Sequence, residues 1–519
     1  KRLLGIPKGC GRADIQVDHA TVERVIVAPS IGSSLADYKT YRHHPIYMIS
    51  DGDLPSDNEE YSISGVMTGN PKDNSYTVAA VATEPLKGNV FEFKNDPEMN
   101  TELRDVLWGN CSNPSEVIQK LTRDLGDNVL YKFGVDTLIV VEALSWFMPF
   151  QFYVGQYLCD KMCPEVMVIG DTRVGKSTMS KQLRKHYGAG RYVDCGGKTT
   201  FVGLIGGNSE IGSKKVFTWG ILPLSKGSQI TLDEANKLRK EIWGEMTNIR
   251  SDGIASRVTN SGHRRTASHT RMLYLANPKT GSLADYESPV EAAIEILGEP
   301  QDLARIDLLF VIPTLKDHSI VNKDHNPDTE HLYREELAQY HLSWAWSLNK
   351  DNIKFENHQH VLTRAQMLLD NLRGFSMVAP TEAKFKIGRL AIAMASLCFS
   401  RSSEGGLMVS NFYVDMAFGM LTTMYTGYMK NASVKAGIIP GPVLDLLEKV
   451  RDPMLLRILV TSDVWTQQDF TEIFMSRAGE FKRLAQLEYS LMTRRRGLFI
   501  PVDGFRKLIQ RHINKRGKK

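Results

Sequence analysis

Between positions 20 and 95 the chain alternates short β-branched and aromatic runs (25–30, 45–50, 61–68, 76–83) with turn clusters such as Asp51-Gly-Asp-Leu-Pro and Gly69-Asn-Pro-Lys-Asp-Asn. That rhythm predicts a small β barrel or sandwich. From 96 to 160 the period lengthens, and 115–125 carries apolar residues at helical spacing behind the start signal Asn113-Pro114. The most apolar stretch, 137–158, is long enough to raise the question of a membrane span. Glu142, Pro149, Gln151 and Gln156 interrupt it and Asp136 and Asp160 flank it, so a buried helix–turn–strand is expected. From about 165 to 315 the order strand, Gly-rich loop, helix, strand predicts an α/β core, and 330–430 reads as mainly helical. Gly437-Ile-Ile-Pro-Gly-Pro442 breaks the pattern. Beyond it, helices are expected at 453–460, 466–474 and 481–492, then a hairpin from Arg494 and a last helix at 504–513: three helices and a wing, a winged helix.

With 519 residues, three or four domains are expected. Hydrophobic residues at 42% and charged residues at 24% exclude wholesale disorder, and a net charge of +5 excludes a histone-like polycation. Six cysteines in a chain of this length make no disulfide framework, and Cys159 and Cys163 have no second pair at zinc spacing, so reduced thiols in the cytoplasm are expected. Residues 1–16 hold no long apolar core, so no signal peptide is expected. A chain opening on Lys1 rather than Met is expected to be a fragment or a processed product.

The strongest chemical signal is Gly170-Asp-Thr-Arg-Val-Gly175-Lys176-Ser177, which follows the apolar run 166–169 and precedes a helical run at 178–186. Strand, glycine loop and helix in that order make a phosphate-binding loop. Successive amides and a helix N-terminus cradle an anion. Lys176 supplies a point charge to the β- and γ-phosphates, and the Ser177 hydroxyl can ligate Mg²⁺. Gly170, Gly175, Lys176, Ser177 and Thr178 are the nucleotide-binding candidates, with ATP and Mg²⁺ as cofactors.

Such a site needs an acidic pair at the end of another buried strand, and Gln229-Ile-Thr-Leu-Asp233-Glu234 supplies one. Asp233 would hold Mg²⁺ with Ser177, and Glu234 would polarise the attacking water. A third apolar strand, 272–276, ends in Asn277-Pro278, and Asn277 would orient that water.

In this order the motifs resemble the AAA+ module of the minichromosome maintenance (MCM) helicases over about 150 residues. Gly196-Gly-Lys-Thr-Thr-Phe-Val-Gly203-Leu-Ile resembles the family's Gly/Ser-rich stretch, and Thr218-Trp-Gly220-Ile-Leu-Pro-Leu-Ser-Lys-Gly227 the stretch before its acidic pair. Glu245-Met246 matches its Glu-Ala-Met helix. Leu303-Ala-Arg305-Ile-Asp307-Leu-Leu-Phe310 is similar to its Leu-x-Ser-Arg-Phe-Asp-Leu-x-Phe, which carries the arginine finger. The phosphate loop departs from the family, reading Asp-Thr-Arg-Val-Gly for Asp-Pro-Gly-Thr-Ala, and Ser-Arg-Phe has become Ala-Arg-Ile. The resemblance implies a divergent, compact relative of the kind carried by phages and mobile elements.

It also implies a multidomain α/β chain: an OB-like β domain (1–95), a helical linker (96–160), an AAA+ P-loop ATPase core (161–320), a helical lid (321–436) and a winged helix (443–519). Arg305 would act on a neighbour's ATP as the finger, or else pair with Asp302 or Asp307 of its own chain. A sensor 2 cation in the lid would be Arg389 or Lys384. Two inserts would face DNA in a ring channel through Lys214 and Lys215, and through Arg257, Arg264 and Arg265. At the C-terminus, residues 477–519 carry 13 Lys/Arg against 3 Asp/Glu, a local +10, with Arg494, Arg495 and Arg496 at the wing.

The implied function is a ring-forming, ATP-dependent DNA helicase or translocase, homohexameric, 3′→5′, with single-stranded DNA in the channel and duplex at the fork. It would work in bacterial or host cytoplasm without a membrane partner. A non-unwinding remodeller or loader, and a structural DNA-binding ring, are the alternatives.

Overall fold

The computed structural model describes residues 22–27, 44–49, 61–70, 75–85, 93–130, 136–196, 199–211, 214–259, 262–286, 288–312, 331–372, 377–428, 439, 441–450, 452, 454–488, 491–495, 498–501 and 505–516. Chain packing separates two units. One comprises 1–94, 200–227 and 254–269; the other comprises 95–199, 228–253 and 270–519.

In the first unit, β1 (Val22–Val27), β2 (His44–Ile49), β3 (Tyr61–Asn70) and β4 (Ser75–Pro85) form a sheet of order β1-β2-β4-β3. β2 and β4 are parallel, while β1–β2 and β3–β4 are antiparallel. The parallel pair needs a crossover, which excludes a simple meander. A closed five-stranded barrel would need a fifth strand, and none is among the described residues. The same unit holds two antiparallel hairpins, Gly206–Ile211 with Lys214–Trp219 and Ile254–Thr259 with Gly262–Ala267. Their first strands touch.

The second unit is built on a parallel sheet of β5 (Glu165–Ile169), β6 (Arg191–Asp194), β7 (Gln229–Asp233), β8 (Arg271–Ala276) and β9 (Leu308–Val311). The spatial order is β9-β5-β8-β7-β6. β5, β7, β8 and β9 are buried along their whole length, which is why their centres are apolar rather than alternating, β7 carrying Thr231 among them. The chain leaves β5 toward β6 on one side and leaves β8 for β9 on the other. The crevice beyond the C-terminal ends of β5 and β8 is therefore the topological switch point, where open α/β sheets bind ligands.

Helix α1 (Asp136–Phe147) packs on β5 and β8, and the short hairpin Phe152–Val154/Tyr157–Cys159 follows it. This is the helix–turn–strand expected for 137–158. Among the described residues no helix is long and apolar enough to cross a membrane. Helix α2 (Lys176–His186) follows β5, and α3 (Pro300–Arg305) leads into β9. Further on, α4 (Ala383–Leu397) is buried at nearly every position and packs against α1, His358–Asn371 and Asn411–Tyr428.

At the C-terminus a capping box between Thr466 and Asp469 starts helix Gln467–Phe474. Trp465, Phe470, Phe481, Phe499 and Phe505 form its core. The helix expected to reach 492 stops at Glu488: Leu491 N–H turns back to the Ala485 carbonyl at 2.6 Å, and Met492 opens the strand Met492–Arg495, paired with Leu498–Pro501. The last helix is Phe505–Arg516.

Candidate active site

Register alone brings the sequence motifs together. Ile169 lies beside Ala276, Leu232 beside Tyr274, and Asp233 beside Asp194. The loops that follow β5, β7 and β8 therefore open on one edge of the sheet, around a cleft of about 360 Å³ lined by Gly175, Lys176, Ser177, Tyr192, Asp233 and Asn277.

The glycine loop folds as its chemistry requires. A Cβ on Gly170 would lie 3.0 Å from Ile312 Cδ1 and 3.1 Å from its Cβ, so only glycine leaves that strand end unshifted. Gly175, at φ +88°, turns the chain into α2. No side chain caps α2, so its first amides are left without a side-chain partner at the cleft. Arg173 also sits in the left-handed region, at φ +68°, where the resembling family's loop carries glycine.

Lys176 is buried, and its ammonium donates to Gly170 O (2.6 Å), Asp171 O (2.9 Å) and Asn277 Oδ1 (2.9 Å). Asn277 in turn has its N–H on Asn236 Oδ1 at 3.1 Å. Burial lowers the Lys176 pKa to about 8, against the pull of Asp233, Asp171 and Glu142. Glu142, on α1, is fully buried with neither oxygen hydrogen-bonded. Burial first, then Asp233, raises its pKa well above the ordinary carboxylate value.

Both oxygens of Asp233 are engaged: Oδ1 accepts Glu234 N–H at 2.9 Å and Oδ2 accepts the Tyr192 hydroxyl. Glu234 takes φ +53°, a conformation that costs a non-glycine residue ~1–3 kcal/mol. Its carboxylate meets Lys237 Nζ at 2.6 Å and remains one-third exposed. Ser177 hydroxyl and Asp233 carboxylate are hard oxygen donors on one cleft, a donor set that fits Mg²⁺. Thr178, one residue on, is exposed at the cleft margin.

Two candidates lie at the other end of the sheet. Arg389 is fully buried on α4 and donates to Asp307 Oδ1 (2.7 Å), Lys161 O (2.7 Å) and Cys159 Sγ (3.1 Å). Asp307 precedes β9, so this pair is one strand length, ~15 Å, from the glycine loop. The assignment of Arg389 to the nucleotide is therefore corrected: its guanidinium is spent inside its own chain. Lys384 is half-buried, donates to Thr381 O at 3.1 Å and lies over the Tyr157 and Phe385 rings. Arg305, at the C-terminus of α3, shares that far end. It pairs with Asp302 at 3.2 Å and keeps 40% of its side chain exposed. It does not enter its own chain's cleft.

The nucleic-acid candidates lie on the hairpins. Arg257 stacks over the Phe201 ring at 3.9 Å, and its Cα partner across the hairpin is Arg264. Arg264 and Arg265 are exposed. Lys214 and Lys215 lie on the strand Lys214–Trp219, Arg494 and Arg495 on Met492–Arg495, and Arg496 outside the described residues. Arg494 is exposed, its guanidinium 5.6 Å from the Phe499 ring centre.

Sequence reading missed Tyr192 and a buried ionic network. Glu165 accepts Arg250 Nε at 2.6 Å, and Lys161 bridges Glu165 (3.2 Å) and Asp307 (2.8 Å). Arg250 reaches Asp302 at 3.0 Å, and Lys386 donates to Ile306 O. Burial opposes ionisation of Asp307, but Arg389, Lys161 and Lys386 outweigh it and hold its pKa far below the carboxylate range. A signal for part of this was present: residues 390–397 are almost wholly apolar, which marks that part of the helix as buried, although its cationic start does not. Compared with protein-family models and with curated proteins, the chain matches none.

Proposed function

We propose that the protein is an ATP-dependent DNA motor of the AAA+ type, a helicase or translocase resembling the MCM helicases and working as a homohexameric ring. The observation that carries this reading is the convergence of Lys176, Ser177, Asp233, Glu234 and Asn277 on one cleft at the switch point of a parallel sheet.

In this reading the α2 amides and the Lys176 ammonium hold the β- and γ-phosphates of ATP. Ser177 and Asp233 hold Mg²⁺, which supplies charge neutralisation on the phosphate oxygens when bound. Glu234 orients and polarises the attacking water, and Asn277 fixes Lys176 and the water's approach. Arg305, exposed at the far end of the sheet, serves the cleft of the next subunit, where it stabilises charge on the transferring phosphoryl group. Arg257, Arg264 and Arg265 on one hairpin and Lys214 and Lys215 on the other contact DNA phosphates. The basic C-terminal helices and hairpin, a winged helix in this reading, contact duplex.

The test is strand displacement on a forked duplex. The reading expects displacement that needs hydrolysable ATP and stops in Glu234→Gln. ATP-dependent DNA binding without displacement would make the protein a remodeller. DNA binding indifferent to ATP would leave a structural ring.

A further inference from the structure

Tyr192 is a residue of this cleft to which the proposed chemistry gives no role. It lies on β6, at the sheet edge beside the acidic strand: Tyr192 pairs in register with Thr231, two residues before Asp233. Its side chain is buried, and its ring lies under the Lys181 ammonium at 4.5 Å. The hydroxyl donates to Asp233 Oδ2, and Ser177 lines the same cleft.

From this geometry we infer that Tyr192 is a latch on the divalent-cation position, its hydroxyl occupying the carboxylate of Asp233 that would hold the ion with Ser177. The inference rests on the nucleotide-site reading above. The competition is specific. Asp233 Oδ1 is already committed to Glu234 N–H, so Oδ2 is the oxygen left to a cation, and that is the oxygen the phenol holds. An ordinary phenol keeps its proton at physiological pH, so the hydroxyl stays a donor. Asp233 is also not engaged by Lys176: the two line one cleft, yet the ammonium's hydrogen bonds go to Gly170, Asp171 and Asn277. A cation must therefore break at least one hydrogen bond to enter, and Tyr192 sets the Mg²⁺ concentration at which it does.

The test compares wild type with Tyr192→Phe, which keeps the ring under Lys181. A fluorescent, non-hydrolysable ATP analogue is titrated in EDTA and then at rising Mg²⁺, each protein being referred to its own affinity in EDTA. Mn²⁺ paramagnetic resonance with the same analogue reads the ion directly. Calorimetric melting of both proteins confirms equal folding. The latch predicts half-maximal cation response at about tenfold lower Mg²⁺ in Tyr192→Phe, the order expected when one hydrogen bond to a charged group stops competing. An unchanged midpoint, or weaker Mn²⁺ binding in Tyr192→Phe, overturns the latch and leaves the nucleotide site standing. Wild type that binds no analogue in EDTA or Mg²⁺ overturns the nucleotide site and the latch together.

Discussion

Raising the pH from 7 to 9.5 should strip ATP affinity from this protein, because Lys176 titrates in that window. Burial lowers its pKa to about 8, with Asp233, Asp171 and Glu142 opposing. Only the ammonium pairs with phosphate, and a bound polyanion raises the pKa of that ammonium. Binding therefore takes up a proton once the pH passes about 8, and affinity falls as pH rises. With a pKa near 8, about nine sites in ten are charged at pH 7 and about one in ten at pH 9, a loss of roughly tenfold, or ~1.4 kcal/mol. The nucleotide contributes nothing to this slope, since its terminal phosphate is ionised throughout the window. The assay is a fluorescent ATP-analogue titration in EDTA at constant ionic strength, at half-unit steps of pH. Lys176→Ala supplies the control: weak binding with no slope. A flat wild-type profile from pH 7 to 9.5 would refute the claim that a buried ammonium holds the phosphates.

Arg173→Gly should raise the melting temperature, because glycine takes φ +68° without strain, a gain of ~1 kcal/mol after its own unfolded-state entropy is counted; a lower melting temperature contradicts this. Asp307→Asn leaves Arg389 and Lys386 without their carboxylate and Lys161 with Glu165 alone, and should cost ~3–5 kcal/mol in urea unfolding, and a loss under ~1 kcal/mol would show the cluster is not cooperative. Since the Asp307 pKa is lowered on folding, this contribution is full above the unfolded carboxylate value of ~4 and is lost as pH falls through the folded one. Arg305→Ala should still bind ATP while losing most turnover, up to roughly 10³-fold. Mixed with Lys176→Ala it should recover partial activity, and no recovery in confirmed mixed rings would remove Arg305 from the neighbour's site.

What the sequence carried was the chemistry that is local. Gly170 to Ser177 is one continuous motif, and its loop geometry follows from its own glycines and the helix after it. Asp233, Glu234 and Asn277 were legible because each closes an apolar strand, and parallel strands bring their C-terminal ends to one edge. Tyr192 and Arg389 were not legible for the converse reason. Tyr192 matters only because β6 lies next to β7, a pairing between strands separated by a helix and a long insertion. Arg389 sits on an amphipathic-looking cationic helix start, Lys384-Phe-Lys-Ile-Gly-Arg389, where spacing cannot tell a solvated cation from a buried one. Its partner Asp307 lies 82 residues away. The helix forecast to reach 492 failed for a local reason: apolar residues continue at helical spacing into the strand, and the turn at Leu491 leaves no mark in that pattern.

The central claim is that the cleft binds and hydrolyses ATP with Lys176, Asp233 and Glu234 in distinct roles. Steady-state phosphate release with Mg²⁺–ATP, measured beside equilibrium nucleotide binding, separates those roles in one experiment. The account predicts turnover in wild type, loss of both binding and turnover in Lys176→Ala, and retained binding without turnover in Glu234→Gln. Phosphate release by Glu234→Gln at the wild-type rate, or a wild type that binds no ATP, would contradict it.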